Sequence, residues 1–232
     1  MDFRDRHVVV TGGTGALGAA VVGALVEAGA MCHVPWVIEA EARGYPHRQN
    51  RQVSLVQGDV TDEVFVTRLY TGLPSLWASI HLAGGFAMAP VAKTSKAALM
   101  QQVEINLVSC FLCCSAAVKA MAGSPEGGRI VNVAARPALE WRGGAGMAAY
   151  TASKAGVAAL TVALAEEVAK GGILVSAVAP SILDTPGNRA AMPKADFAAW
   201  PKVEEVAATI LFLASADNRV TRGAVVPVYG KS

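Results

Sequence analysis

The stretch His7-Val-Val-Val-Thr-Gly-Gly-Thr-Gly-Ala-Leu-Gly18 decides the fold of this 232-residue chain. A β-branched strand runs directly into closely spaced glycines, and an apolar run of helical character continues to about Gly29. The glycines at 12, 15 and 18 allow a tight turn and let the backbone approach a phosphate at the positive end of the helix. The stretch therefore predicts the first βαβ unit of a dinucleotide-binding fold.

Strand-like and helix-like segments alternate along the rest of the chain. The predicted strands are Val8–Thr11, Met31–Val34, Val53–Gln57, Ala78–Leu82, Arg129–Val133, Leu174–Ala179 and Ala224–Val228. The predicted helices lie near Ala16–Ala28, Asp62–Leu73, Lys96–Met121, Met147–Ala169 and Val203–Ala214. The irregular stretches are Trp36–Arg51, Ala135–Gly146 and Pro180–Pro201.

This alternation predicts an α/β fold of the Rossmann type. We expect a doubly wound parallel sheet of about seven strands, flanked by helices on both faces. Residues 1–232 are expected to form a single dinucleotide-binding and catalytic domain, with a substrate-covering loop around residues 180–201, because ligands bind where such strands end.

The composition is typical of a soluble enzyme. Hydrophobic residues make up 53% of the chain, charged residues 16%, and the net charge is +2, which favours neither nucleic acid nor an anionic membrane as a partner. The charged N-terminus lacks a signal-peptide core, and the apolar stretch Ile105–Ala122 is too polar for a membrane span, so we predict a cytoplasmic protein. The four cysteines show no metal-binding spacing with the histidines, so no metal site is predicted, and His81 is expected to be a core histidine.

Tyr150 and Lys154 are separated by four residues within an Ala-rich run. On a helix this spacing places both side chains on one face. A neighbouring ammonium favours the phenolate and lowers the pKa of the phenol toward neutrality. The pair is therefore a candidate acid/base centre, although an amphipathic tyrosine beside a solvated lysine fits the spacing as well.

Several motifs, met in order over essentially the whole chain, resemble the short-chain dehydrogenase/reductase family. They are Thr11-Gly12-x-x-Gly15-x-x-Gly18, Gly58-Asp59-Val60-Thr61-Asp62, Ala83-Gly84-Gly85, Glu104-Ile-Asn-Leu107, the Tyr150/Lys154 pair and the loop from Pro180 to Thr185. The resemblance implies an oxidoreductase that binds NAD or NADP and acts on a small-molecule substrate. It also implies a homodimer or homotetramer with the helices around residues 104–122 and 150–168 at the interface.

The resemblance further implies roles for individual residues. Tyr150 would be the proton donor, Lys154 would lower its pKa and bind the ribose, and Asn106 would support a proton relay. The implied cofactor-binding residues are Gly12, Thr14, Gly15, Ala16, Leu17, Gly18, Asp59, Val60, Ala83, Gly84, Gly85, Tyr150, Lys154, Pro180, Ile182 and Thr185.

Four residues, at three sites of the chain, depart from the family pattern. Ala134 and Ala135 stand where a serine would hydrogen-bond the substrate carbonyl, and Leu82 replaces the first residue of an Asn-Ala-Gly motif. The second strand ends at Trp36, which offers neither a carboxylate for an NAD ribose nor an arginine for an NADP phosphate. Glu39, Glu41 or Arg43 could reach the ribose from the following segment.

The missing serine narrows the expected chemistry. The strings Gly12–Gly18, Ala83–Phe86, Ala134–Leu139 and Leu183–Arg189 resemble the quinonoid dihydropteridine reductase branch, which lacks the serine and keeps the tyrosine and lysine. This predicts hydride transfer to a small cyclic or conjugated substrate. The alternatives are a carbonyl or 3-oxoacyl reductase with another donor such as Thr151 or Ser153, a tailoring enzyme, and a non-catalytic dinucleotide-binding protein.

Overall fold

The computed structural model describes residues 1–232. The strands are β1 His7–Thr11, β2 Met31–Trp36, β3 Val53–Gln57, β4 Ala78–His81, β5 Gly128–Val133, β6 Ile173–Pro180 and β7 Val225–Val228. The helices are α1 Ala16–Glu27, α2 Glu39–Arg43, α3 Glu63–Thr71, α4 Lys96–Val103, α5 Ser109–Met121, α6 Arg136–Leu139, α7 Ala148–Glu167, α8 Pro186–Ala191 and α9 Val203–Ala214.

All seven strands form one parallel sheet in the order β3-β2-β1-β4-β5-β6-β7. The chain builds outward from β1 to β3, then returns to place β4 against the other side of β1. Loops leaving β1 and β4 therefore diverge at the carboxyl edge of the sheet, which is where open α/β sheets bind ligands. The predicted doubly wound parallel sheet is confirmed.

Helices cover both faces of the sheet, each over its own hydrophobic core. On one face α1 and α9 bury side chains such as Val22 and Ile210 against β1 and β4. On the other face α3, α5 and α7 bury Phe65, Met121 and Val157 against β1, β5 and β6. Each such side chain contributes roughly 1.5–3 kcal/mol by leaving water. The two cores hold the loops of the carboxyl edge in fixed positions.

The predicted helix Lys96–Met121 is divided in the structure. Between α4 and α5 the chain makes a π-helical turn, Glu104–Val108, whose only buried side chain is Asn106. A π turn inserts one extra residue into the helix and changes the direction of the side chain that it carries. Hydrophobic periodicity does not reveal this turn, because helical character continues on both sides.

The predicted irregular stretches contain short helices, and β2 is longer than predicted. Helices α2, α6 and α8 lie within these three stretches. Strand β2 continues through Pro35 to Trp36 because its pairing with β3 extends that far, whereas its pairing with β1 ends at His33. Pro35 therefore lies where one side of the strand needs no N–H donor.

Two helical segments, Lys96–Met121 and Ala148–Glu167, are long and apolar enough to span a membrane by length and composition alone. Both segments pack against the sheet. The core helices of soluble proteins meet the same criteria of length and composition. The segments therefore give only weak support for a membrane span.

Candidate active site

The glycine-rich loop after β1 packs so closely on the loop after β4 that side chains would not fit. Gly12 has φ +65°, and a Cβ there would lie 2.6 Å from the backbone nitrogen of Ala83. Helix α1 then starts with Gly15 as its N-cap and no side-chain cap. The first N–H groups, those of Ala16, Leu17 and Gly18, consequently have no partner within the helix. This cradle fits the pyrophosphate of a dinucleotide.

The remaining predicted cofactor residues end the neighbouring strands at the same edge. Asp59 follows β3 and accepts the N–H of Thr61 at 2.9 Å. Pro180 ends β6, and Thr185 caps α8 by accepting the N–H of Asn188 at 3.2 Å. Thr14, Gly84, Gly85 and Ile182 lie in the loops after β1, β4 and β6, while Val60 packs against the core under α3.

Tyr150 and Lys154 lie in the first half of α7, as predicted from their spacing. Lys154 is 6% exposed, and its Nζ donates to the carbonyl oxygen of Val133 at 2.8 Å, at the end of β5. The ring of Tyr150 meets the ring of Phe86 edge-on, with centroids 5.0 Å apart. The structure thus brings the candidate acid/base pair to the end of β5 and beside the loop after β4.

Burial is the main cause of the pKa shifts of Tyr150 and Lys154. It raises the pKa of Tyr150 to about 12 and lowers the pKa of Lys154 to about 8. The expected lowering of the phenol pKa by the ammonium is not seen, because Lys154 is hydrogen-bonded to the strand carbonyl and the phenol is desolvated. Tyr150 is therefore fully protonated at neutral pH, the state of a proton donor.

Asn106 joins the loop after β4 to α7. Its Oδ1 accepts the N–H of Gly85 at 3.0 Å, and its Nδ2 donates to the carbonyl oxygen of Gly85 at 3.0 Å. The same Nδ2 also donates to Ser153 Oγ at 3.2 Å. A Cβ on Gly84 would lie 2.6 Å from Asn106 Oδ1 and 3.3 Å from Lys154 Nζ. The π turn points the Asn106 side chain into this set of hydrogen bonds, which we call the Asn106 clamp. The sequence motif alone does not indicate these contacts.

No side-chain hydroxyl near Tyr150 replaces the missing serine. Ala134 and Ala135 are both buried. Ser153 Oγ donates to the carbonyl oxygen of Tyr150 at 2.8 Å and accepts from Asn106, so it is already engaged. Thr151 Oγ1 is buried without a partner and lies over Gly144, where a Cβ would collide with it.

Exposed apolar side chains lie in several loops at the carboxyl edge of the sheet. Phe86 and Met88 leave the loop after β4, Trp141 follows α6, and Ile182 follows β6; all four are exposed. Met88 Cε lies 3.2 Å from the position of a Cβ on Gly146, just before α7. The exposed apolar side chains of Phe86 and Met88 beside α7 favour substrates with a flat or hydrophobic body.

The loop at residues 180–201 lines a cavity of about 700 Å³, whose lining includes Arg189, Phe197 and Trp200 but neither Tyr150 nor Lys154. Arg189 is bound to Asp184 at 2.8 Å and stacks over Phe197 at 5.0 Å. Since its charge is already paired, Arg189 holds the loop together in this structure.

His81 faces Cys110 and Cys114, a juxtaposition that their sequence spacing does not indicate. Their ligand atoms lie within 4.8 Å of one another. The His81 Nδ1 lies 2.8 Å from Asn132 Oδ1, an acceptor because Asn132 Nδ2 donates to Thr161, so Nδ1 carries the proton. The Nε2 then accepts from Ser79 Oγ at 2.8 Å. These groups could hold a metal ion only if His81 gave up the proton that it shares with Asn132.

Comparison with known proteins identifies the class. Residues 6–196 match the short chain dehydrogenase family. Galactitol 2-dehydrogenase of Rhizobium johnstonii (strain DSM 114642 / LMG 32736 / 3841) is 35% identical, covering 96% of this chain and 93% of its own length. Cis-4-hydroxycyclohexanecarboxylate dehydrogenase of Sinomonas cyclohexanicum is also 35% identical, covering 98% and 96%. The 3-oxoacyl-[acyl-carrier-protein] reductase of Chlamydia trachomatis is 27% identical, covering 97% and 96%.

The fold also matches solved structures. A short-chain dehydrogenase/reductase family protein superposes with a TM-score of 0.90 at 25% identity, covering 99% of this chain and 98% of the other. A glucose/ribitol dehydrogenase-type protein from Brucella melitensis, at 24% identity, superposes with a TM-score of 0.89 and the same coverage. The chain belongs to the short-chain dehydrogenase family. It is an oxidoreductase, and members of this family bind NAD or NADP.

Proposed function

We propose that Tyr150 is the proton donor of this oxidoreductase and that Lys154 and the glycine-rich loop hold its dinucleotide. The loop at Gly12–Gly18 would bind the pyrophosphate through free backbone N–H groups, and Lys154 would donate to the nicotinamide ribose. When bound, the nicotinamide supplies or accepts the hydride. Phenol, ammonium and cofactor cradle meet at one edge of the sheet, and this convergence supports the assignment.

Tyr150, Lys154 and Asn106 would each have a separate role in the reaction. Tyr150 is protonated at neutral pH, so it can give its proton to the substrate atom that gains charge during reduction. Lys154, held by Val133, would stabilise the phenolate left behind. Asn106 fixes the loop after β4 at Gly85. We also propose that Asn106 supports a proton relay, the role that the family resemblance implies.

We further infer that the substrate is a small cyclic, conjugated compound of the kind that quinonoid dihydropterins represent. The observation that carries this inference is the buried alanine pair at 134–135. Without a hydroxyl at this point, a negative oxygen forming on the substrate would have no donor besides Tyr150, a loss of about two to three orders of magnitude in rate for an isolated carbonyl. A conjugated ring spreads this charge, and the exposed ring of Phe86 beside Tyr150 offers it a stacking surface.

A second candidate is an alcohol dehydrogenase or carbonyl reductase. The two relatives at 35% identity are named for acting on a polyol and on a cyclic hydroxy acid, and a third is a 3-oxoacyl reductase. For this chain, Tyr150 would then be the only side-chain donor to the substrate oxygen.

The variant Ala135→Ser distinguishes the two candidates. It introduces a hydroxyl at Ala135, the one of the two alanines that lies outside the all-alanine cluster, and Ala134→Ser is the matched control because Ala134 packs within that cluster. A conjugated substrate should be reduced by the wild type, and Ala135→Ser should change its kcat by less than about threefold. For an alcohol or ketone substrate, Ala135→Ser should raise kcat by one to three orders of magnitude. A wild type active on simple ketones and inactive on quinonoid dihydropterin would contradict the first candidate.

We also propose that the protein forms a homodimer or homotetramer through α5 and α7. Both helices carry exposed apolar side chains, among them Phe111 and Val162. A cytoplasmic location, without a nucleic-acid or membrane partner, is part of this proposal. The variant Phe111→Asp should shift the protein to a smaller species in size-exclusion chromatography with light scattering.

A further inference from the structure

Strand β2 ends with a residue that does not distinguish NAD from NADP. In dinucleotide-binding folds, an acidic residue at this point binds the adenosine ribose of NAD, whereas a nearby arginine accommodates the 2′-phosphate of NADP. Here β2 ends at Trp36, which is half-buried and can do neither. The group that distinguishes the two cofactors must therefore come from another element at this edge.

Helix α2 brings a carboxylate to the glycine-rich loop. Thr14 Oγ1 donates to Glu41 Oε2 at 2.7 Å, across 27 residues of chain. Thr14 stands between Gly13 and Gly15, immediately before the free N–H groups of α1. Glu41 is exposed, and its second oxygen, Oε1, has no partner within the protein. One oxygen is thus fixed to the loop and the other remains able to accept.

We propose that Glu41 is the residue that selects NAD over NADP, by accepting a hydrogen bond from the adenosine ribose. The inference rests on the proposed dinucleotide-binding function of this edge. Thr14 is a positioning residue, because its hydroxyl holds the carboxylate beside the phosphate cradle. A ribose hydroxyl donates well to the free oxygen of Glu41, whereas a 2′-phosphate would bring like charge against it.

The surrounding charges support the same choice. Arg43, the only cation of α2, is bound to Glu39 at 2.8 Å, one turn along the helix. Its guanidinium is therefore not free for a phosphate, and it does not neutralise Glu41. Arg51 precedes β3 and so lies toward the opposite, amino edge of the sheet. The three candidates that the sequence offers, Glu39, Glu41 and Arg43, are reduced by these contacts to Glu41.

The test measures binding without turnover. Fluorescence titration gives the Kd of NADH and of NADPH for the wild type, Glu41→Gln, Glu41→Arg and Thr14→Val, with Glu27→Gln, which removes an exposed carboxylate at the far end of α1, as the control. The wild type should bind NADH at least tenfold more tightly than NADPH. Glu41→Gln should weaken NADH binding about five- to tenfold and leave NADPH unchanged or tighter, and Glu41→Arg should reverse the preference. Thr14→Val should weaken NADH binding less, about two- to threefold, while Glu27→Gln should leave the preference for NADH unchanged.

Two results overturn the inference in different ways. If the wild type binds both dinucleotides and Glu41→Gln leaves the ratio of their Kd values unchanged, or if the wild type prefers NADPH, Glu41 is not the selecting residue and the proposed function stands. If the folded wild type binds neither dinucleotide, the proposed function fails and this inference fails with it. Glu41 is exposed, so its variants should fold, and their melting temperatures check this point.

Discussion

Lys154 Nζ donates to the carbonyl oxygen of Val133 at 2.8 Å, so the ammonium of α7 is anchored to the last residue of β5. The contact spans 21 residues of chain, and the Lys154 side chain that donates it is buried. It places a buried positive charge beside the loop after β4, where even a methyl group on Gly84 would come within 3.3 Å of it. A single hydrogen bond does not fully compensate a buried ammonium for lost hydration, so this charge should destabilise the fold.

The variant Lys154→Met should be more stable than the wild type near neutral pH. Burial lowers the pKa of Lys154 from 10.5 to about 8, so the unfolded chain binds the proton more tightly than the folded chain does. Below pH 8 the folded state carries the full penalty, roughly 3 kcal/mol, and the penalty disappears as pH rises from 8 to 10.5. The unpaired Val133 carbonyl subtracts about 1 kcal/mol at every pH, leaving a gain of about 2 kcal/mol at pH 7.

Urea unfolding at a series of pH values between 7 and 10.5 measures this difference. The advantage of Lys154→Met should shrink by roughly 3 kcal/mol over that interval. Lys170→Met, which removes the same charge from an exposed site, should stay within about 0.5 kcal/mol of the wild type throughout. A Lys154→Met variant that is less stable than the wild type at pH 7 would contradict the argument.

The variant Tyr150→Phe should abolish turnover and leave cofactor binding intact. The change removes only the hydroxyl, and the edge-on packing of the ring against Phe86 is preserved. Loss of a proton donor costs about two to four orders of magnitude in rate. Steady-state kinetics and a fluorescence titration with NADH and NADPH test the two halves separately, and unchanged kcat would remove Tyr150 from the proposed mechanism.

The sheet and its helices could be predicted because local patterns determine them. Alternation of β-branched runs with amphipathic runs located all seven strands and the main helices, and the glycines after β1 indicated where the first helix begins. The errors fall where tertiary contacts override the pattern. Strand β2 passes through Pro35 because β3 continues to pair with it, and the π turn at Asn106 is invisible to a periodicity that continues on both sides.

The site could be predicted only as a set of residue types. Spacing placed Tyr150 and Lys154 on one face of a helix, but the direction of their pKa shifts depends on burial and on Val133, which no local pattern shows. The pairing of Thr14 with Glu41 likewise joins the glycine-rich loop to α2, two segments that only the folded sheet brings together. The sequence could therefore name three candidates for cofactor selection, and the contacts distinguish among them.

The variant Asn106→Ala should loosen the loop after β4. It removes both hydrogen bonds to the half-buried backbone of Gly85, and two such bonds together contribute about 1–3 kcal/mol. Asn106→Asp keeps the acceptor for the Gly85 N–H but cannot donate to the carbonyl, so it should also destabilise the protein. Because the loop borders the cofactor cradle, the Kd of the dinucleotide should rise in both variants. Urea unfolding and titration measure the two effects, and a stability equal to that of the wild type would show that the clamp contributes nothing.

The paired histidines of β1 and β2 should make the protein sensitive to mild acid. His7 Nδ1 lies 2.8 Å from His33 Nε2, with the two rings stacked at 5.2 Å. Burial, and then the charge of His7, lower the pKa of His33 from 6.5 to about 4. The unfolded chain therefore binds this proton first, and the resulting stability, complete above pH 6.5, is lost as pH falls toward 4.

Replacing the His33 ring should remove part of this loss of stability in mild acid. The variant His33→Gln can still hydrogen-bond to His7 and does not take up a proton, so its stability should fall less steeply than that of the wild type between pH 6.5 and 4. His47→Gln is the matched control, since His47 bonds to the backbone of α1 away from the pair. Thermal unfolding at pH 4.5, 5.5 and 6.5 gives the three slopes. Equal slopes for His33→Gln and the wild type would show that other groups set the acid sensitivity, whereas a shallower slope for His33→Gln alone assigns it to the contact between β1 and β2.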